Sequence, residues 1–200
     1  RGRRYTKLRE KYEKNYKKRN TDLMNGISYL HEVEKFIQKK LKLPVSILDW
    51  GGDTGKNTPF KNNNKKIHIY DLGNSKTING TLKIKKSELK NKKYDLVICS
   101  NVLEHVSYPS QILFDLKKNM NSKSLLYIEL PYERLMVDIY NKKKTYLDKK
   151  HWHEHVNFFS KKSILNLLKK CKLKLIEFKK LDVPDGKFSL MQIICRKDID

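Results

Sequence analysis

Two hundred residues allow one domain with a sizeable core and exclude two large ones. The formal charge of +23 comes almost wholly from lysine, 38 Lys against 7 Arg. Spread through every segment, these lysines read as solvated faces rather than the arginine-rich surface that grips phosphates, so a nucleic-acid partner is possible but not favoured.

No stretch reaches the length of a membrane span. Cys99, Cys171 and Cys195 are widely spaced, sit in apolar surroundings and form no C-x-x-C pair. That excludes a disulfide framework or zinc knuckle and suits a reducing, cytoplasmic compartment.

Residues 1–43 read as a helical arm. Tyr5, Leu8, Tyr12 and Tyr16 recur at three- and four-residue steps, placing them on one helical face that packs on the body or covers a pocket as a lid. Thr21 and Asp22 suit the cap of a second helix. Its inner face would carry Leu23, Ile27, Leu30, Ile37 and Leu41, with Val33 and Phe36 flanking, and Pro44 would end it.

The domain proper, residues 44–200, opens with S-I-L-D-W-G-G-D-T-G, Ser46 to Gly55. The spacing predicts a buried parallel strand ending at Asp49 and breaking into a ligand-facing turn, where Gly51, Gly52 and Gly55 let the backbone approach a ligand. A second strand, Ile67 to Tyr70, ends at Asp71. Two strand-end acids about twenty residues apart are the spacing expected when the second binds a ribose hydroxyl pair.

A short third strand is expected within 77–84, then a turn around Ser87 and Glu88. Tyr94 to Cys99, continuously apolar, reads as a central parallel strand. A helix after Pro109 would bury Ile112, Leu113, Leu116 and Met120, and Leu125 to Leu130 would follow as the fifth strand. Arg134 to Lys150 reads as a charged insertion, leading to H-W-H-E-H-V-N-F-F-S from His151 to Ser160. Ser160 suits the cap of a helix burying Ile164, Leu167, Leu168 and Cys171. Leu173 to Phe178 and Phe188 to Cys195 complete the strands, around the turn signal V-P-D-G. Alternating strands and helices predict an α/β doubly wound sheet.

With D-x-G-x-x-x-G after strand one, an acid after strand two, Y-D-L-V-I-C-S-N-V-L-E-H-V at strand four and F-F-S before a late helix, the chain resembles the class I S-adenosylmethionine-dependent methyltransferases over about Val45 to Arg196. The subgroup it looks like methylates small molecules, often sugars or surface-polysaccharide (capsule or lipopolysaccharide) precursors in bacteria. The resemblance implies a Rossmann-like, mostly parallel seven-stranded sheet of order 3-2-1-4-5-7-6. It also implies the cofactor S-adenosylmethionine, released as S-adenosylhomocysteine, and a small-molecule or glycan acceptor.

On that resemblance, Asp49, Gly51, Gly52, Asp53 and Gly55 form the turn facing the cofactor's methionine part. Asp71 is the ribose acid with Leu72 beside it, and Ser100, Asn101 and Val102 line the cofactor side of strand four, with His105 nearest to an active-site position. The family usually has glycine where this chain has Asp53, a carboxylate that would either bind the cofactor's ammonium or weaken binding.

Methyl transfer is an in-line displacement, so alignment supplies much of the catalysis, and an alcohol acceptor also needs a base near neutral pKa. His155 or His153 is the expected base with Glu154 orienting it, unless these residues only tie the loop down. Zinc or iron ligation by H-W-H-E-H is the less favoured reading, because its spacing is tighter than the usual patterns, and no metal is expected. Two other functions compete. An RNA methyltransferase of this fold would use the charge, but strand four ends S-N-V-L and lacks an N-P-P-Y type of motif. A non-catalytic relative would rest on Asp53 and the poor helix after Gly55.

Overall fold

In the computed structural model of the chain, residues 27–62, 66–132, 138, 140–144, 155–182 and 189–198 are described. The elements run α1 (Leu30–Gln38), β1 (Ser46–Trp50), β2 (Lys66–Tyr70), β3 (Leu82–Lys83), a 3-10 turn at Lys86–Leu89, β4 (Tyr94–Ser100), α2 (Pro109–Lys118), β5 (Met120–Pro131), α3 (Lys161–Lys170), β6 (Leu173–Asp182) and β7 (Ser189–Lys197). They form one seven-stranded sheet of order β3-β2-β1-β4-β5-β7-β6. Strands β1 to β5 pair in parallel, while β7 runs antiparallel to both β5 and β6. This is the Rossmann-like order expected from the sequence.

Because side chains alternate across a strand, the sheet feeds two cores. On one face Leu48, Val97, Cys99, Leu126 and Ile128 pack with Leu113 and Leu116 of α2 and Ile164 and Leu168 of α3. On the other, Ile47, Ile67, Ile69, Leu96, Ile98 and Tyr127 pack with Val33, Phe36 and Ile37 of α1. All three cysteines are free and buried, as their surroundings suggested. Among the described residues, no helix is long and apolar enough to cross a membrane.

Three details differ from expectation. Val33 and Phe36, placed on the flank of the arm's helix, are its innermost residues with Ile37, whereas Leu30 and Leu41 are half-buried. The stripe that meets the sheet is Tyr29-Val33-Phe36-Ile37, whose three- and four-residue steps skip the charged Glu34. Strand β3 keeps only two residues, because Thr77 to Thr81 is taken up by turn bonds such as Thr81 Oγ1 to the Ile78 carbonyl at 2.8 Å. Met120 opens β5 rather than closing α2, since Asn119 ends the helix and donates to the carbonyls of Leu89 and Lys92 at 2.8 and 3.0 Å.

Ser160 caps α3 as expected, accepting the Ser163 amide while Ser160 N–H donates to Ser163 Oγ. The proposed tyrosine face at Tyr5, Tyr12 and Tyr16 and the cap at Thr21 and Asp22 lie outside the described residues.

Phe36 joins arm to sheet, its ring edge-on to Tyr127 at 6.5 Å. Phe36→Ala is expected to lower unfolding stability by about 3 to 5 kcal/mol, the cost of a buried aromatic cavity, read from the midpoint of a urea titration.

Candidate active site

The carboxyl ends of β1, β4 and β5 open on a cleft of about 960 Å³. One wall is the turn after β1; the other is Ile27, Tyr29, Leu30 and Val33 at the start of α1. The arm is pinned against the turn by two bonds, Ile27 N–H to Asn57 Oδ1 at 3.1 Å and Phe60 N–H to Glu34 Oε1 at 2.6 Å.

Asp49, Gly51, Gly52, Asp53, Ser100 and Asn101 all line this cleft. Asp49 is buried, with the Thr58 hydroxyl donating to its Oδ2 at 2.6 Å. Burial pushes its carboxyl up to about 6, against the Thr58 bond, and the charge of Asp71 adds a smaller upward push. Gly51 has φ +83°, and a Cβ there would collide with Val102 Cγ2, so the turns after β1 and β4 meet at a contact only glycine permits. A Cβ on Gly52 would fall 2.7 Å from the Asp49 carboxylate.

Asp53 stands in the left-handed region at φ +49°, which aspartate tolerates better than most residues. Its N–H donates to Asp71 Oδ2 at 3.0 Å, and Gly73 N–H donates to Asp71 Oδ1 at 2.6 Å. The residue that replaces the family's glycine thus ties the β1 turn to the acid at the end of β2.

Four expected cofactor residues do not border the cleft itself. Gly55 is buried beneath the turn, where a Cβ would come 3.1 Å from Ile69 Cδ1, so its role there is to turn the chain. Val102 lies behind Gly51. Asp71 sits half-buried beside Asp53, and Leu72 is 90% exposed at the end of β2.

Glu129 and Tyr29, unnoticed in the sequence, also line the cleft. Glu129 is fully buried on β5 and accepts from Tyr29 and Ser100 hydroxyls at 3.1 and 3.0 Å on Oε1, and from Tyr127 hydroxyl and Gln192 Nε2 at 2.6 and 3.2 Å on Oε2. Asn101 Nδ2 lies 3.4 Å from Oε1. The signal was a lone acid in the otherwise apolar run L-L-Y-I-E-L-P.

The loop after β4 carries a second cluster. One ligand atom each from Glu104, His105 and His155 lies within 4.8 Å of the others, and the two imidazoles meet edge to face at 4.9 Å. Asn157 holds the segments together. Its Nδ2 donates to the carbonyls of Leu103 and Val106 at 2.9 and 2.6 Å, while the amides of Val156 and Asn157 donate to the Glu104 carbonyl at 2.8 and 3.0 Å. Glu104 is buried, and burial pushes its carboxyl up to about 7, against the pull of a backbone hydrogen bond and of His155. His153 and Glu154 lie outside the described residues; among those described, the carboxylate beside His155 is Glu104.

The family model for the methyltransferase domain matches residues 13–177. The chain belongs to the methyltransferase-domain family. No curated protein matches the chain. The fold of this methyltransferase is similar to that of the 1,6-didemethyltoxoflavin-N1-methyltransferase of Burkholderia thailandensis, solved with its acceptor and S-adenosylhomocysteine. That match has 13% identity and TM-score 0.70, over 95% of this chain and 87% of that one. It is also similar to the magnesium protoporphyrin IX methyltransferase of Synechocystis, bound to S-adenosylhomocysteine, at 14% identity and TM-score 0.60 over 84% and 81%. A third is the N-methyltransferase NodS of Bradyrhizobium japonicum, bound to the same product, at 11% identity and TM-score 0.59 over 88% and 90%.

The methyltransferase is an S-adenosylmethionine-dependent enzyme. Its cleft fits that cofactor in size and in chemistry. The volume is in the range of small-molecule sites, the glycine turn gives close backbone approach, and a buried acid and two polar strand-end residues suit a ligand carrying an ammonium and hydroxyls.

Asp49 gives a pH test. Its folded-state pKa, about 6, lies above its ordinary value, so its contribution to stability is full below about pH 4 and is lost as pH rises through 6. Asp49→Asn is expected to flatten that decline, making the variant more stable than the parent above pH 6 by on the order of 2 to 3 kcal/mol. Urea midpoints of both proteins from pH 4 to 7, without cofactor, check it.

Proposed function

We propose that the enzyme methylates a hydroxyl of a small-molecule acceptor, a sugar or surface-polysaccharide precursor, in the cytoplasm. The observation that carries the reading is the cluster of Glu104 and His105, on the loop after β4 a few residues beyond the cleft-lining Ser100 and Asn101, with His155 from the segment bound to that loop. An alcohol acceptor needs a group to take its proton, whereas binding alone does not.

S-adenosylmethionine supplies a methyl group on a sulfonium, and the C–S electron pair stays on sulfur when S-adenosylhomocysteine leaves. The protein's part is placement. The backbone at Gly51 and Gly52 would hold the methionine part, and Asp49 with Asp53 would bind its ammonium. Asp71, at the end of β2, would bind the ribose hydroxyls with the lone pairs that Asp53 and Gly73 leave open, and Leu72 would stand beside it. Ser100 and Asn101 would hold the cofactor's acceptor side, with Val102 backing Gly51. His155, with His105 beside it and Glu104 orienting the pair, receives the acceptor's proton; His153 and Glu154 complete the same segment.

Two substitutions separate binding from chemistry. Asp71→Ala is expected to weaken cofactor binding by about 1 to 3 kcal/mol in calorimetry, the loss of a charge-assisted hydrogen bond. His155→Ala is expected to lower kcat by about 100-fold or more with cofactor affinity nearly unchanged, as for loss of a positioned base. Incubating the enzyme with methyl-labelled cofactor and nucleotide sugars, polysaccharide fragments or bulk RNA, followed by mass spectrometry, tests the acceptor. Label in RNA alone would overturn the proposal.

A further inference from the structure

We infer that Glu104, His105 and His155 form a binding site for one divalent transition-metal ion of the zinc or iron type. The inference rests on the proposed function's assignment of this cluster to acceptor activation, and puts the ion in place of His155 as the group that activates the hydroxyl. It stands on three observations.

First, the donors are the right set. Two imidazoles and one carboxylate suit zinc or ferrous iron, whereas magnesium and calcium prefer all-oxygen sites. Their ligand atoms already lie within 4.8 Å of one another. Bonds of about 2.0 to 2.2 Å put neighbouring ligands about 3 Å apart, so side-chain rotations of 1 to 2 Å, on the order of a rotamer adjustment, close the site.

Second, Glu104 Oε2 is buried and has no hydrogen-bond partner, while Oε1 lies 3.9 Å from His105 Nε2, beyond hydrogen-bonding distance. A carboxylate oxygen taken out of water without a partner among the described residues is costly, and a cation between it and the two rings would meet that need.

Third, the backbone is built to hold the three together. Glu104 and His105 are adjacent on one loop, and His155 comes from a segment fifty residues away in sequence that Asn157 and the Val156 amide bind to that loop through four hydrogen bonds.

Three protein ligands leave at least one position open on such an ion. An acceptor hydroxyl placed there would ionise more readily, its proton passing to solvent and its O–H electron pair staying on the oxygen that attacks the methyl carbon. The histidines then serve as ligands, and the ion's charge does what their basicity would do unaided.

The test is metal binding by the full chain, stripped with a chelator and kept free of cofactor and acceptor. Zinc is titrated in competition with a chromophoric chelator, and cobalt(II) is followed by its visible ligand-field absorption. One equivalent bound with micromolar or tighter affinity is expected, with a cobalt spectrum of low coordination number and little binding of magnesium. Glu104→Gln and His155→Ala should each weaken zinc by about tenfold or more. His105→Asn, at an exposed position, gives the same readout without a demand on folding. Circular dichroism and S-adenosylmethionine affinity are measured on every variant. No saturable zinc binding, or equal binding in folded Glu104→Gln and His105→Asn, overturns the inference. If zinc does not bind but His155→Ala still abolishes turnover, the base reading of the proposed function stands alone. If the cofactor itself does not bind, it is that function which fails.

Discussion

A single buried carboxylate organises the cleft. Glu129 is buried near the carboxyl end of β5, where an unpaired charge would be prohibitive, and the surrounding elements supply its donors: Tyr29 at the start of α1, Ser100 at the end of β4, Tyr127 on its own strand and Gln192 on β7. The Glu129 carbonyl also accepts the Asn101 N–H at 2.9 Å. Moving any of these elements would strip a partner from a charge that water cannot reach, so arm, sheet and the β4 loop are set relative to one another. The price is a polar hub inside a hydrophobic layer, and it fixes the geometry of the cleft's floor.

Around that hub the site divides between two loops with different demands. The β1 turn must come close to its ligand, so it is made of backbone: Gly51 pressed against Val102, Gly52 against Asp49, and Gly55 buried underneath. The loop after β4 must present side chains, so it is stiffened from outside by Asn157, whose amide fills the role a secondary-structure ladder would otherwise play. Gly51 against Val102 is where the turn after β1 meets the loop after β4.

Much of this was legible in the sequence because it rests on local periodicity and spacing. The buried runs of β1, β4 and β5, the Gly-rich turn, the acid at the end of β2 and the Ser160 cap are all signals within a few residues, and their order carries the sheet topology. What escaped depends on contacts distant in sequence. Glu129 and Tyr29 meet across a hundred residues, and Glu104 meets His155 across about fifty, so neither pairing leaves a spacing to read. The inner face of α1 was misassigned for the same reason: Leu30 and Phe36 are equally apolar, and only the position of Tyr127 decides which turns inward. Asp53 stands out in the sequence, but the bond to Asp71 at that position does not, because a backbone amide makes it.

That amide has a thermodynamic consequence. A glycine at the Asp53 position would reach φ +49° freely but would roam far more widely before a ligand arrived, whereas aspartate has fewer conformations to give up, and its N–H is already committed to Asp71. The turn is therefore shaped on folding. Part of the ordering entropy that a mobile glycine loop would surrender when a ligand arrives has been surrendered already.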